Sequence, residues 1–487
     1  MHIKKYLFIL LLSLPFAIVS GKDYPASLFN IYSDGVTLNT RSIQYALDYI
    51  HNNGGGRLVF HVGRYLTGSV YLRSNVSVEL KEGAGLIGAL NPWEYDRKGW
   101  TALLFGLDQE NIAITGKGYI DGQGREVARN FVDVIHRGIY KDGFRYDRPE
   151  AEARPMIFCL KGCKDILIRG ITIKNSSSWV QTYDQCTNLW IDSIYVDSKA
   201  YWNNDGIDIV DCDGAKVTNS YIDASDDGIC LKSHDASKAC RNIEISNNTI
   251  RSSANGIKFG TASYGGFSNV RIINNKVYNT YRSAVTLAAV DGGFVENVIV
   301  DSLQAFNTGN AVFLRIGERV PGKKGRMENI RISNLYAGIA AAKPDAGYEY
   351  EGPVEDMPRN ISPSSFVGLP DAFIRNVEMK NIEISYPGGG DPHFAQVPLN
   401  ALNTIPEKTT AYPEFSMFGE LPAWGFFFKH VEDIRIENLL LSVEKKDFRT
   451  AIVIDNGHDI VINKLVVKEP AKKAPVFSNK STRVVVK

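Results

Sequence analysis

The feature that most narrows the fold is a short motif that keeps returning. From about residue 107 to 335, an apolar-alternating strand, a turn with Asn, Asp or Gly, and a second strand recur. The spacing is roughly 20 to 28 residues, a solenoid period. Segments starting at Lys164, Thr187, Asn242, Asn269 and Asn297 begin alike, and further copies start at Asn329 and Asp433. Alternating Ile, Val and Leu supply inward side chains at the strand period of two. Asn and Asp tolerate left-handed backbone at the turns and hydrogen-bond along a stack. No single coil is stable alone, because its apolar face has no partner until neighbours stack on it. Helical α/β folds need helices of ten or more residues between strands, and these connections are too short and too rich in Asn and Gly. The expectation is an all-β, right-handed parallel β-helix.

Two kinds of segment break the period. Thr40 to Ile50 has apolar residues at helical spacing behind a Thr cap, which predicts a helix closing the N-terminal end of the coil. Gly338 to Ala372 and Pro387 to Phe427 read as long loops. Their aromatics (Tyr348, Tyr350, Phe366, Tyr412, Phe415, Phe418 and Trp424) would either wall a sugar site or cover a flank of the coil. Such loops would block one end of a groove and favour trimming from chain ends.

Met1 to Lys5 carries two lysines and leads into an apolar run from Tyr6 to Val19, with small Ser20 and Gly21 behind it. That pattern predicts a signal peptide over residues 1–21 and a mature, periplasmic or secreted protein at 22–487. The run is shorter than the ~20 apolar residues a spanning helix needs, so no membrane insertion is expected after cleavage. Nothing resembles a hinge between two halves, so one elongated domain, a monomer, is the simplest expectation. With 55 Lys plus Arg against 54 Asp plus Glu, the net charge of +1 gives no field to steer nucleic acid. Six cysteines stand at 159, 163, 186, 212, 230 and 240, without a second Cys pair or paired His, so no structural metal and no cofactor is expected.

The chemistry concentrates in two segments, Asn203 to Asp208 and Ser225 to Ile229, about 21 residues apart. One coil of separation stacks Asp205 over Asp226 and Asp227 at a strand spacing of ~4.8 Å. Like charges that close raise one another's pKa, so one member holds a proton near neutrality. Glycoside hydrolysis by inversion asks for that: one carboxyl to protonate the leaving oxygen, another to activate water. Adjacent Asp226 and Asp227 should face opposite sides of a straight strand, so a shared site requires a bend, which Gly228 eases. Asp208, Asp211, Asp213 and Asp223 read as turn residues, and because Asn-Asp and Asp-Gly pairs are ordinary turn chemistry, spacing alone leaves a non-catalytic cluster open.

At these residues the sequence resembles glycoside hydrolase family 28, the polygalacturonase family of pectin-degrading enzymes. Ser33 to Thr37, Asn53 to Gly56, Tyr65 to Gly68, Ser74 to Ser77, Asn111 to Gly116 and Ile120 to Gly124 resemble its N-terminal coils. Asn203-Asn204-Asp205 resembles its Asn-Thr-Asp motif, and Asp226-Asp227 with Ile229 to Ser233 its double-Asp segment. The resemblance implies Asp226 as general acid, Asp205 and Asp227 as activators of water, and inversion at the anomeric carbon. Two motifs depart. The family's Gly-His-Gly falls on Ala254-Asn255-Gly256, and its Arg-Ile-Lys, which would pair with a galacturonate carboxylate, falls on Thr286-Leu287-Ala288. Lys232, Lys258, Arg282 and Arg315 are candidate replacements for the lost cations, and His234 for the lost imidazole. With Asn203 and Asn255, Lys232, Lys258, Arg282 and His234 form the expected substrate-binding set.

The function expected is therefore an inverting hydrolase of pectin-type polysaccharide, acting on galacturonate or rhamnogalacturonan linkages. The alternatives are a hydrolase of a neutral or substituted glycan, a Ca²⁺-dependent polysaccharide lyase and a non-catalytic glycan-binding β-helix.

Overall fold

The computed structural model describes residues 21–143, 148–342, 363–390, 392–393, 397–470 and 474–487. The first 20 residues, within the expected signal peptide, and Tyr348 and Tyr350 lie outside them. The chain winds into coils of three strands, each strand pairing in parallel with its counterpart in the next coil. Gln181–Asp184, Thr187–Asp192 and Tyr195–Ser198 pair with Ile207–Val210, Asp213–Thr218 and Tyr221–Ala224. The fold is a parallel β-helix.

The alternation seen in the sequence becomes an interior column. Ile166, Leu189, Ala215, Ile243, Val270, Val298, Ile330, Val377, Ile434 and Ile460 follow one another in register, all buried. One apolar core extends from Tyr24 to Ile462. The turn residues stack as well. Asn242, Asn269, Asn297, Asn329 and Asn376 all have left-handed backbone, and each later amide donates to the Oδ1 of the one before, over 2.7 to 3.4 Å. Cys163, Cys186, Cys212 and Cys240 belong to the same core, and all six thiols are free and buried.

The capping helix spans Thr40–Asn52 and buries Ile43, Ala46, Leu47 and Ile50. Its cap differs from the expectation. Asn39 is the capping residue, and Thr40 instead accepts a bond from the Gly68 N–H at 2.8 Å, tying the helix to the coil. A second helix, Gly124–His136, leaves the coil between the strands Tyr119–Asp121 and Met156–Lys161.

The described part of the second long loop, from residue 397 to 422, packs against the outside of the coil. Leu402, Ile405, Phe415, Met417, Phe418 and Leu421 meet Phe313, Val367, Phe427 and Val453, which point outward from successive strands. Two of the loop aromatics expected from sequence are not loop residues. Phe366 and Trp424 lie on strands and are buried in the main core, because both fall at inward positions of the alternation.

Candidate active site

One face of the coil carries an outward column that can be followed residue by residue: Tyr71, Phe105, Cys159, Thr182, Asp208, Cys230, Lys258, Thr286, Phe313, Ser365, Phe427, Val453, Phe477. It is apolar or nearly so towards both ends and polar and charged in the middle. The sequence reading missed Asp208. It is no turn residue: it lies on the strand Ile207–Val210, between inward Ile207 and Ile209, and is fully buried. The alternation Ile-Asp-Ile was the signal for it. Asp223 also departs from the turn assignment, lying on the strand Tyr221–Ala224 with Lys199 at 2.8 Å.

Asp205 and Asp227 precede this column by equal steps. Ile207 pairs with Ile229, and the Gly206 N–H donates to the Asp227 carbonyl at 2.9 Å, so the two carboxylates stack. They approach within 4.8 Å of one another, with the Cys230 thiol completing the group. The bend at Ser225 to Gly228 follows the expectation, but space, more than φ, demands glycine. A Cβ on Gly228 would lie 2.4 Å from Ile250 Cγ2 and 2.7 Å from the Gly256 carbonyl oxygen. The bend leaves Asp226 partly exposed while Asp205, Asp208 and Asp227 are buried.

These carboxyls have been driven apart in proton affinity. Burial, then the charges of Asp205 and Asp227, push Asp226 up to about 7. Burial also raises Asp205, to about 7, and Asp208, to about 6, against the opposing pull of Lys232. Burial works against ionised Asp227 too, but Lys258, Lys232 and Arg282 outweigh it and hold this carboxylate well below the usual range. Its hydrogen bonds show how: Oδ1 accepts from the Asn255 backbone N–H (3.0 Å) and Nδ2 (2.7 Å), and Oδ2 from Lys258 Nζ (2.8 Å). The cluster therefore contains a permanently charged member and one facing solvent that keeps its proton to neutral pH.

Most of the expected binding residues converge here, though in supporting positions. Lys232 Nζ sits 3.0 Å from Asp205 and 2.8 Å from Asp208, over the Trp179 ring at 4.6 Å. Asn255, at the family's His position, serves Asp227, and its Oδ1 accepts from Thr286 Oγ1 at 2.8 Å, which fixes the amide's orientation. Arg282 pairs with Glu414 at 3.0 Å. Three candidates lie elsewhere. Asn203 accepts from the buried Arg154 at 2.8 Å, exposed His234 stands past the strand end with its backbone N–H on Asp211, and Arg315 is bonded to four backbone carbonyls, of Val367, Gly368, Glu407 and Lys408. Asp205 and Asp227, the carboxylates a divalent ion would use, each already pair with an ammonium group, Lys232 at 3.0 Å and Lys258 at 2.8 Å.

The loop supplies what sequence proximity could not reveal. Its stretch from Glu407 to Glu414 crosses the outer face beside the cluster, held by Arg315 and by Lys429 and His430 on Glu407 (2.8 and 3.1 Å). It brings Tyr412 Oη to 2.6 Å from Lys258 Nζ. On the opposite flank Trp100 and Trp179 stack at 4.4 Å.

The model of the family described as glycosyl hydrolases family 28 matches residues 66–288, a stretch that contains all four aspartates with Lys232, Lys258, Arg282 and Thr286. A Vitis vinifera protein named "Probable polygalacturonase" is 30% identical over 243 residues, 45% of this chain and 47% of its own. The exo-poly-α-D-galacturonosidase of Dickeya chrysanthemi is 25% identical over 292 residues, 50% of this chain and 48% of its own. The chain thus spans about half the length of these two relatives. The solved structure of the Yersinia enterocolitica family 28 exopolygalacturonase shares the fold, with a TM-score of 0.67 at 17% identity over 95% of this chain and 77% of that one. Over residues 66–288 the chain therefore matches glycosyl hydrolases family 28, and within that match it departs from the family's pattern, with Asn255 at the His position and Thr286 and Ala288 at the basic pair.

Proposed function

We propose that the protein is an inverting glycoside hydrolase that trims pectin-type polysaccharide from chain ends, in the periplasm or outside the cell. The observation that carries this reading is the split in proton affinity inside one stacked group: Asp226 raised and partly exposed, Asp227 depressed and fixed. Protonated Asp226 gives its proton to the leaving glycosidic oxygen. Asp205, in its ionised form, takes a proton from the attacking water. Asp227, held charged by Lys258 and Asn255, orients that water and stabilises positive charge growing at the anomeric carbon. Action from chain ends is supported by the segment Glu407 to Glu414, which lies against one side of the cluster with Tyr412 on Lys258, and by the exo activity in the name of the Dickeya chrysanthemi relative.

The test is reducing-end release from purified pectic and neutral glycans, with wild type and Asp226→Asn compared in chelator. Chelator-resistant release that the variant lacks is expected, with one small product dominating early digests. Release abolished by chelator would point to a metal-dependent lyase. Mixed early oligosaccharides would overturn action from chain ends, and binding with no release from any glycan would leave a binding protein.

A further inference from the structure

A sugar that carries a carboxylate, seated against a group of carboxylates, needs a cation of its own. Among the described residues, each cation lining this cluster already serves a partner. Lys232 lies between Asp205 and Asp208, and Lys258 is committed to Asp227 and the Tyr412 hydroxyl. Arg282 has the Glu414 carboxylate at 3.0 Å and the Tyr412 ring at 5.6 Å. Arg315 is spent on backbone carbonyls. Where the family's Arg and Lys would stand, Thr286 is 1% exposed and Ala288 0%, so these positions offer neither charge nor surface. Five carboxyl groups (Asp205, Asp208, Asp226, Asp227 and Glu414), one of them the protonated Asp226, surround three cations (Lys232, Lys258 and Arg282). A further anion here would lose water and gain no counter-ion, a penalty that grows as the site closes over the sugar.

We infer that the sugar flanking the cleaved bond on the Tyr412 side is uncharged, either a neutral sugar or a uronate masked as its ester, and that Glu414 is the residue that sets this preference. Glu414 places its carboxylate 3.0 Å from Nε of Arg282, whose guanidinium a uronate would use. The Tyr412 ring, 49% exposed beside Lys258 and Arg282, presents an apolar face suited to sugar C–H groups. The inference rests on the hydrolase reading above and narrows its substrate: the linkage cut joins two sugars of which at least one carries no charge. Glu414 is a specificity residue acting through Arg282, and it takes no part in moving protons.

The experiment uses α-linked disaccharides with galacturonate or galactose on either side of the bond, and the methyl ester of the galacturonate dimer. Binding is measured calorimetrically to Asp226→Asn, whose amide imitates the protonated carboxyl, and turnover is measured with wild type. The galacturonate dimer should bind at least about tenfold more weakly than the best galactose-containing disaccharide, the effect of about one lost charge-assisted contact. Adding Glu414→Gln, which removes the carboxylate charge facing Arg282, should strengthen dimer binding about tenfold and leave the best neutral ligand nearly unchanged. An ester that binds like the galactose-containing sugar identifies masked charge as sufficient, and an ester as weak as the dimer identifies a neutral sugar as required. If the galacturonate dimer binds best and Glu414→Gln leaves the order unchanged, the inference falls while the hydrolase reading stands. If the predicted binding order holds but wild type cleaves nothing, the hydrolase reading falls and the selectivity stands. No binding of any disaccharide overturns the inference.

Discussion

Two stretches of the same outward column have opposite fates. From Phe313 through Phe427 and Val453 it is sealed beneath Leu402, Ile405, Phe415 and Phe418, and becomes a second core. From Thr182 to Thr286 it carries Asp208, Cys230 and Lys258 and becomes the site. Parallel pairing and facing direction are the same in both. Only the side chains differ, and with them the energetics: each large apolar side chain covered by the loop gains about 1.5–3 kcal/mol, whereas the charged middle carries a desolvation cost that pairing only offsets. A repeating scaffold therefore separates its own stability from its chemistry by exchanging residues along one column. The scaffold tolerates a costly centre because the flanks, built on the same strands, are apolar and covered.

The sharpest way to break that contrast is to remove the proton from the centre. Asp226→Asn should lower the turnover of the proposed hydrolysis by about 10²–10⁴-fold, with the circular dichroism spectrum unchanged. An activity loss below tenfold would show that Asp226 is not the acid. Lys258→Met asks whether the centre is held together by pairing. It leaves Asp227 charged, buried and short of its counter-ion, and should cost about 3–5 kcal/mol in denaturant unfolding. Adding Asp227→Asn should recover most of this loss, since neither charge then remains. A double variant as unstable as the single one would mean that Lys258 contributes only packing.

The flanks and the centre also differ in how far the sequence announced them. The coil was legible because its signals are local and repeated: Ile243, Val270 and Val298 alternate inward, and Asn242, Asn269 and Asn297 mark the turns. Asp205, Asp226 and Asp227 were legible because one coil of separation becomes one strand spacing. Asp208 was hidden by its neighbours, since Asn203 to Gly206 reads as turn and the strand begins one residue later. Tyr412 and Glu414 carry no local signal. They reach Lys258 and Arg282 from well over a hundred residues away through a loop whose seat is the apolar flank. Phe427→Leu tests this dependence of site on flank. It should cost about 1–2 kcal/mol of stability, and by loosening the loop's seat it should raise KM more than it lowers kcat. Unchanged KM would mean that Tyr412 and Glu414 are held independently of this core.

The smallest expected effect concerns what the centre costs the fold. Asp226 has a folded-state pKa of about 7, against ~3.9 for an unfolded aspartate. Between those values the folded chain binds more protons than the unfolded one, so stability declines as pH rises through the window. Near pH 4 the carboxyl is protonated in the folded state and almost no penalty exists. At pH 8 it must ionise among Asp205 and Asp227, and the penalty is complete. An amide cannot ionise, so Asp226→Asn should be more stable than wild type by on the order of 1 kcal/mol at pH 8, and close to it at pH 4. Asp227, depressed by Lys258, gives the opposite trend only as pH falls below the ordinary carboxylate range, outside this comparison. Thermal midpoints of the two proteins across pH 4 to 8 measure the difference directly. A gap that stays constant with pH would assign the effect of the substitution to packing at the bend between Ser225 and Gly228, and the proton on Asp226 would then have no part in the cost of the site.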